Sequence, residues 1–221
     1  MHVHLPKPLH GWREFAGEVG IIVLGVLIAL AAQQAVSWLQ ERQDVAQLRS
    51  ALNRELAEDR ARWDQMNSQD KCARRRLDAL DHWVASAPAG SRIRDGYNLL
   101  IFDMHLSAWD IAKSSPSAGH IPLDDRLAYA SLYAALDNWR EVLIKEDANI
   151  EHLSNLLATA NQPENRIQIP LRLVDARRMI NYRDTLYPYL ARRFNELGIE
   201  ADASQLAGRV DPSALCKTLE S

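Results

Sequence analysis

Residues 19–40 have the sequence VGIIVLGVLIALAAQQAVSWLQ, 22 positions without a formal charge. As an α-helix this stretch is about 33 Å long, which matches a hydrocarbon core of about 30 Å. Trp12 and Phe15 precede it and Trp38 lies near its end, at the spacing that aromatic side chains take at the two membrane interfaces. The stretch therefore predicts a single transmembrane helix, with the lipid bilayer as the first partner of the chain.

Two other interpretations of residues 19–40 stay open. The Ala-Leu-Ala triplet at 29–31 resembles a signal-peptidase site, which would make the segment a cleaved secretion signal. Glu14 and Glu18 argue against this, because Lys and Arg are the usual charges before the apolar core of a signal peptide. A buried helix of a soluble protein is the other alternative, but no other segment is apolar enough to surround it. We favour an uncleaved anchor.

Small residues mark one surface of the predicted span. Ala16 and Gly20 form one small-xxx-small pair, and Gly25 and Ala29 form another. Such pairs let two helix backbones approach closely in lipid, so Gly20, Gly25 and Ala29 are predicted helix-packing residues and self-association is expected. The alternative is that these residues have no partner, since Gly and Ala are common in single spans.

Composition excludes several functional classes. The chain of 221 residues has 26 Lys and Arg against 29 Asp and Glu, a net charge of −3, which disfavours binding of nucleic acid through bulk charge. Two cysteines are too few for a Cys-based zinc site or a disulfide scaffold. The sequence contains no phosphate-binding glycine loop, nucleophile elbow or metalloprotease motif. We therefore expect no enzyme activity, no cofactor and no bound metal.

Apolar residues after the span recur with the period of a helix, which predicts an all-α chain. The predicted order is a short tail at 1–18, the anchor at 19–40 and a helical domain at 41–221. Within that domain we expect an amphipathic stalk at 41–67, an antiparallel bundle at 68–198 whose first helix pairs with the stalk, and a short C-terminal helix at 199–221. The stalk stripe consists of Val45, Leu48, Leu52, Leu56, Trp63 and Met66.

Three further helices are predicted in the bundle. Residues 97–112, YNLLIFDMHLSAWDIA, are apolar on nearly every side and predict a central buried helix. Pro122 with two aspartates after it predicts the start of the next helix. A helix from Pro170 to Gly198 carries the clearest heptad stripe, with an expected kink at Pro188. Its stripe consists of Leu173, Ala176, Ile180, Arg183, Tyr187, Leu190, Phe194 and Leu197.

Two blocks of the sequence carry a resemblance to a known group of proteins. Residues 12–43, WREFAGEVGIIVLGVLIALAAQQAVSWLQERQ, and residues 107–139, SAWDIAKSSPSAGHIPLDDRLAYASLYAALDNW, resemble widespread bacterial single-span membrane proteins of uncharacterised function. Their anchors have the pattern E-V-x-x-I-V-x-G-V-L-I-A-L. At 115–117 this chain has Ser-Pro-Ser, where those proteins more often have Ser-Gly-Ala. The resemblance implies a membrane-tethered helical protein and supplies no reaction.

The orientation of the span follows from its short N-terminal tail. Lys and Arg residues are nearly balanced on the two sides, so their count does not decide. A short tail before a first span usually stays in the cytoplasm, and the long remainder crosses. For a bacterial protein this predicts the inner membrane, with the domain after residue 41 in the periplasm.

Several polar and aromatic residues are candidates for a ligand pocket in the bundle core: Asp103, His105, Trp109, Tyr129, Tyr133 and Arg183. Each also has a structural interpretation. His105 lies in a very apolar segment, and a hydrogen-bonded core histidine is the expected case. Arg183 interrupts an apolar stripe, so it needs a carboxylate such as Asp103 or Asp110, or else it binds an anionic ligand.

Cys72 and Cys216 are predicted to form a disulfide if the domain lies in an oxidising periplasm, and to be inert core thiols if it is cytosolic. With no catalytic motif visible, two functions remain. The first is a membrane-tethered interaction or scaffold module that binds a second copy or another envelope protein. The second is a sensor or small-ligand-binding domain.

Overall fold

The computed structural model describes residues 11–93, 96, 97, 99 and 101–204. Over these residues the secondary structure is helical without a strand, so the prediction of an all-α chain is confirmed. The elements are α1 (Trp12–Ser68), α2 (Asp70–Ser86), α3 (Ser107–Ser114), a 3-10 turn (Pro116–His120), α4 (Leu123–Ala158), α5 (Pro163–Arg166) and α6 (Ile169–Glu196). The chain divides into two compact units, Met1–Gln47 and Leu48–Ser221.

The first unit contains the N-terminal part of α1. All of its residues from 15 to 40 are exposed, and this is a helix long and apolar enough to cross a membrane. The guanidinium of Arg42 lies 4.2 Å from the ring centroid of Trp38, a cation–π contact at the polar end of the apolar stretch. A Cβ atom added at Gly20 or Gly25 would meet nothing within 4 Å, so the chain leaves the small-residue surface uncovered.

In the second unit α1 passes into α2 with one intervening residue. Gln69 has helical dihedral angles, φ −86° and ψ −11°, and residues 15–86 qualify as one long helix. Cys72 and Ala73 both donate their backbone N–H groups to the carbonyl oxygen of Gln69, so hydrogen bonding continues across the joint. The chain therefore does not reverse here. The expected antiparallel pair of the first two helices is wrong, because nothing at Gln69 breaks the helical backbone.

Helix α4 runs parallel to the long helix of residues 48–86. Tyr129 near its start hydrogen-bonds Asn53, and Trp139 further along packs edge-to-face on Trp63 with ring centroids 4.8 Å apart. Both sets of residue numbers rise together, which fixes the parallel direction. As predicted, α4 begins just after Pro122, and two aspartates occupy its first turn.

Helix α6 packs antiparallel on α2 and α4 and completes the bundle. Arg177 forms ion pairs with Asp78 and Asp81, whereas Tyr187, later in α6, hydrogen-bonds Asp64, earlier in the chain. The predicted stripe faces inward: Leu173, Ala176, Ile180, Arg183, Leu190 and Phe194 are buried, and Tyr187 and Leu197 are half-buried. The spacing of the apolar residues therefore correctly predicted both this helix and its buried face.

The predicted helix at 97–112 is wrong over most of its length, because its described residues before 107 are not helical. Parallel packing explains why. The chain must return from the end of α2 to the start of α4, a length of several helical turns, before α4 can begin beside α1. An extended path covers about 3.3 Å per residue against 1.5 Å in a helix, so a connection without helix suits that return, and the described residues 97, 99 and 101–106 are not helical. Tyr97 and Met104 are buried along it.

One group of buried apolar residues is formed by α2, the connection after it, the end of α4 and α6: Ala73, Leu77, Leu80, Ile93, Tyr97, Ile150, Leu153, Leu156, Leu157, Ala160, Ile169, Leu173, Ala176 and Ile180. Residues 199–204 after α6 are not helical. The remainder of the predicted helix at 199–221, including Cys216, lies outside the described residues. Cys72 is buried on α2, and its pairing with Cys216 stays a prediction.

Candidate functional site

A buried ion network joins α6 to the other two long helices. Arg183 is 1% exposed, and its Nη2 donates to Asp70 Oδ1 at 2.7 Å while its Nη1 donates to Glu146 Oε2 at 2.6 Å. The guanidinium Nε adds contacts of 3.0 Å to both oxygens of Asp70. The structural interpretation of Arg183 is therefore correct, but the expected partners were wrong: Asp103 lies in the extended connection, and Asp110 is exposed and pairs with Lys113.

This network holds more negative than positive charge. Burial raises the pKa of Asp70 and of Glu146, and the hydrogen bonds and charge of Arg183 oppose that rise. Three polar atoms around it are buried without a hydrogen-bond partner: the hydroxyl of Tyr97, Oε1 of Glu146 and Oδ1 of Asn149. The network therefore ties three helices together and is closed to solvent.

A second polar cluster lies on α1 and faces the connection before α3. We call Glu55, Glu58, Asp59, Arg62 and His105 the α1 cluster. Arg62 Nη1 donates to Asp59 Oδ1 at 2.7 Å, and Arg62 Nη2 lies 3.4 Å from Glu58 Oε2. His105 Nδ1 lies 4.0 Å from the same Glu58 oxygen. Arg62 thus pairs with two carboxylates, Glu58 and Asp59.

Two carboxylates of this cluster hold backbone groups. The backbone N–H of His105 donates to Asp59 Oδ1 at 3.1 Å. Glu55 Oε2 accepts from Ser107 Oγ at 2.6 Å and from the backbone N–H of Ala108 at 2.9 Å. The second oxygen of Glu55 accepts from the Tyr133 hydroxyl at 3.0 Å. The N-terminus of α3 is thereby capped by a side chain from another helix, a contact that suits its unpaired N–H groups.

Asp59 is the most perturbed acid of the cluster. Its side chain is fully buried, and its Oδ2 atom has no hydrogen-bond partner. Burial raises the pKa of Asp59 to about 7 and outweighs the stabilisation of its anion by the His105 N–H and by Arg62, while the charge of Glu55 raises that pKa further. This carboxyl group therefore titrates near neutral pH.

A cleft of about 330 Å³ lies beside the α1 cluster, between α1 and α3. Its lining combines charged and apolar side chains: Leu48, Ala51, Arg54, Glu55, Glu58, His105, Ser107, Ala108 and Ile111. No group of three or more metal-ligating residues able to hold a metal ion occurs in the described part of the chain. The chemistry that the cleft offers is ionic and apolar contact with an organic molecule.

The six predicted pocket residues fall into separate places. Trp109 and Tyr133 are stacked at 5.2 Å between ring centroids, and Tyr133 contacts Glu55 of the α1 cluster. Tyr129 lies one turn before Tyr133 and hydrogen-bonds Asn53 instead. The other three are His105 at the first cleft, Asp103 at a second cleft between the connection and α4, and Arg183 in the buried ion network.

The expectation of a core histidine at 105 is wrong, because 48% of its side chain is exposed. The extended connection places this side chain at the rim of the cleft rather than in a helix interface. Sequence reasoning also missed Glu55, Asp59, Asp70 and Glu146 as functional candidates. The position of Asp59, Asp70 and Glu146 within apolar stripes was the signal available in the sequence.

Comparison with known proteins leaves the site without a precedent. No family model matches the chain, and no curated protein or solved structure matches it.

Proposed function

We propose that this protein is a membrane-tethered helical interaction or scaffold module. The main support is a row of exposed apolar side chains on the outer face of α6 and just before this helix: Ile167, Leu171, Val174 and Tyr182. Between 46% and 78% of each residue is exposed. Rows of this kind on a folded domain favour contact with another protein. The proposal assigns no reaction to the chain.

The anchor belongs to the same proposal. Residues 19–40 would hold the protein in the bacterial inner membrane as a single-pass protein, with the helical domain in the periplasm. The uncharged 22-residue stretch, its aromatic ends and the resemblance to bacterial single-span proteins support this topology. A small-residue surface without a covering neighbour supports self-association through Gly20 and Gly25.

Carbonate extraction and reporter fusions test the anchor and its orientation. We expect the chain to stay in the membrane pellet with residues 19–40 retained, and a phosphatase fused after residue 204 to be active in the periplasm. A mature chain that starts at Ala32 in the soluble fraction would show that residues 19–40 are a cleaved signal. An active cytoplasmic reporter at the same fusion site would reverse the topology.

A photo-crosslinking amino acid at Leu171 tests the interaction surface. We expect a specific adduct at this position because the side chain is exposed within the apolar row, and no adduct at Glu151, an exposed polar position on α4. An adduct with twice the mass of the chain identifies self-association, and any other discrete mass identifies an envelope partner. Equal labelling at both positions, or no adduct at Leu171, contradicts the proposal.

The cleft between α1 and α3 favours a second candidate, a small-ligand-binding domain. Arg54, Glu58 and His105 place charges of both signs around an apolar floor, which suits an organic ion with an apolar part. Thermal-shift measurements with a panel of organic amines and carboxylic acids test this. A compound that raises the melting temperature of the wild type and not of Glu58→Gln supports binding, and no response to any member of the panel argues for the scaffold.

A further inference from the structure

Residues 105–108 attach to α1 through hydrogen bonds to two carboxylates one helical turn apart. Asp59 accepts the backbone N–H of His105, and Glu55 accepts the groups of Ser107 and Ala108. The buried Asp59 carboxyl group, whose pKa is about 7, can bind a proton near neutral pH. The strength of the attachment therefore depends on the ionisation state of Asp59.

Apolar packing contributes little to the attachment of α3. Ala112 is the one buried residue of this helix, and 65% of Ile111 is exposed. Trp109 stacks on Tyr133 while remaining half-buried. A short helix with so few buried contacts opens more easily than the long helices beneath it. The contacts to Asp59 and Glu55 thus form a large part of what holds it.

The charges that face Asp59 are out of balance. Three charged residues lie on α1 with Asp59: Glu55, Glu58 and Arg62. His105 lies in the attached connection, and Tyr133 on α4 faces Glu55 and Asp59. An ionised Asp59 would be the second carboxylate on the Arg62 guanidinium and would also be repelled by the charge of Glu55, with Oδ2 buried and unpartnered. A neutral Asp59 removes that repulsion and most of the cost of burial.

We propose that residues 105–114 form a proton-controlled latch, which is docked on α1 while Asp59 carries a proton and is released as Asp59 loses it. In the released state Asp59 meets water, and its charge is solvated. Release would also widen the cleft and uncover Glu55 and the ring of Tyr133. The latch is independent of the proposed scaffold function and is tested separately from it.

The direction of the pH dependence follows from the number of protons that the docked and released states bind. Exposed aspartate has a pKa near 4, and burial holds the docked form near 7, so the docked state binds more protons between these values. Docking is therefore strongest in acid and weakens by up to about tenfold per pH unit between about pH 4 and 7. Above pH 7 both states are ionised, and the dependence levels off.

Hydrogen exchange on the full chain in detergent or nanodiscs measures the latch. We expect protection factors of the amides at 105–112, corrected for intrinsic exchange, to fall more than tenfold between pH 5 and 7 and then to level off. Amides in the middle of α6 serve as the internal reference and should not change. A fall of the same size in α6 would show global destabilisation, and a constant protection at 105–112 would show no latch; either result overturns the proposal.

Three variants identify the side chain that causes the pH dependence of protection at 105–112. Asp59→Asn keeps a hydrogen-bond acceptor without a titratable proton, so its protection at 105–112 should be independent of pH. Asp110→Asn removes an exposed carboxylate from α3 itself and should behave as the wild type. His105→Ala keeps the backbone N–H and should retain the pH dependence. Loss of that dependence in His105→Ala would assign the effect to the imidazole and reject Asp59, even if Asp59→Asn fails to fold.

Discussion

Arg183 brings two carboxylates into the interior of the bundle, and each of them depends on it. Its guanidinium contacts Asp70 on α2 and Glu146 on α4 with both partners nearly inaccessible to water. Such a network is costly to assemble, because three charged groups leave water. Breaking it is costlier still, since the remaining charges stay buried without a partner. Its value lies in fixing how α2, α4 and α6 align.

We therefore expect Arg183→Ala to destabilise the folded domain by about 3–5 kcal/mol. Arg192→Ala provides the matched control, because Arg192 lies on the same helix with its side chain 67% exposed, and it should change stability by less than about 0.5 kcal/mol. Urea unfolding followed by circular dichroism measures both. Equal stability of the two variants would show that the buried network is not a determinant of the fold.

Two buried tyrosines give a second matched pair. The hydroxyl of Tyr97 has no hydrogen-bond partner, whereas that of Tyr133 donates to Glu55. Tyr97→Phe should be neutral or stabilising, because it removes a buried polar atom without compensation. Tyr133→Phe should cost about 1–2 kcal/mol, because it removes a donor to a charged acceptor. The same unfolding measurement compares them, and the opposite order would contradict these contacts.

Three of the four buried carboxylates in the described part of the chain, Asp59, Asp70 and Glu146, occupy recognisable places in the sequence. Asp59 lies between Leu56 and Trp63, two apolar stripe residues seven positions apart; Asp70 and Glu146 fill the same kind of gap in their own stripes. A step of seven skips one inward-facing position, and here an acid occupies each skipped position. The pattern could therefore have located these residues. It could not have paired Asp70 and Glu146 with Arg183, because that requires the relative alignment of three helices.

At the scale of elements, local signals determined most boundaries. The predicted helix from Pro170 to Gly198 is observed as Ile169–Glu196, because proline suits the first turn of a helix and glycine readily adopts the positive φ that ends one. The extended path at 97–106 could not be predicted in this way. Its apolar residues suit a helix equally well, and the parallel packing of α4 on α1, a property of distant residues, decides between the two.

The end of α6 gives a prediction of its own. Gly198 has a φ of +66°, and the N–H of Ile199 donates to the carbonyl of Phe194, the hydrogen-bond pattern of a Schellman cap. Gly198→Ala should destabilise the domain by about 1 kcal/mol, because a Cβ atom is strained at positive φ. Gly119→Ala, at a glycine without positive φ and with open space around it, is the control and should be neutral. Thermal unfolding distinguishes them.

At the scale of the whole molecule, the predicted disulfide links oxidation state to topology. If the domain is periplasmic, a Cys72–Cys216 bond would close a loop of 144 positions and stabilise the fold by roughly 4–5 kcal/mol in the chain-entropy model. Gel mobility with and without reductant, after thiol alkylation of protein from membranes, measures the bond. Two alkylated thiols in a domain that is accessible to external protease would reject it.

The parallel placement of α4 beside α1 also sets the order in which the domain folds. Helices α4 and α6 are joined by a short connection and can associate as soon as both exist. Hydrogen bonds of residues 49–55 need partners that lie 76 to 78 positions later in the chain. The carbonyl of Ala57 accepts from the N–H of Asp202, which is synthesised later still. Closing such distant contacts is slow, because the loop entropy is lost before they form. We expect the earliest synthesised helix to be the last to pack, so nascent chains shorter than about 200 residues would expose its apolar stripe to chaperones.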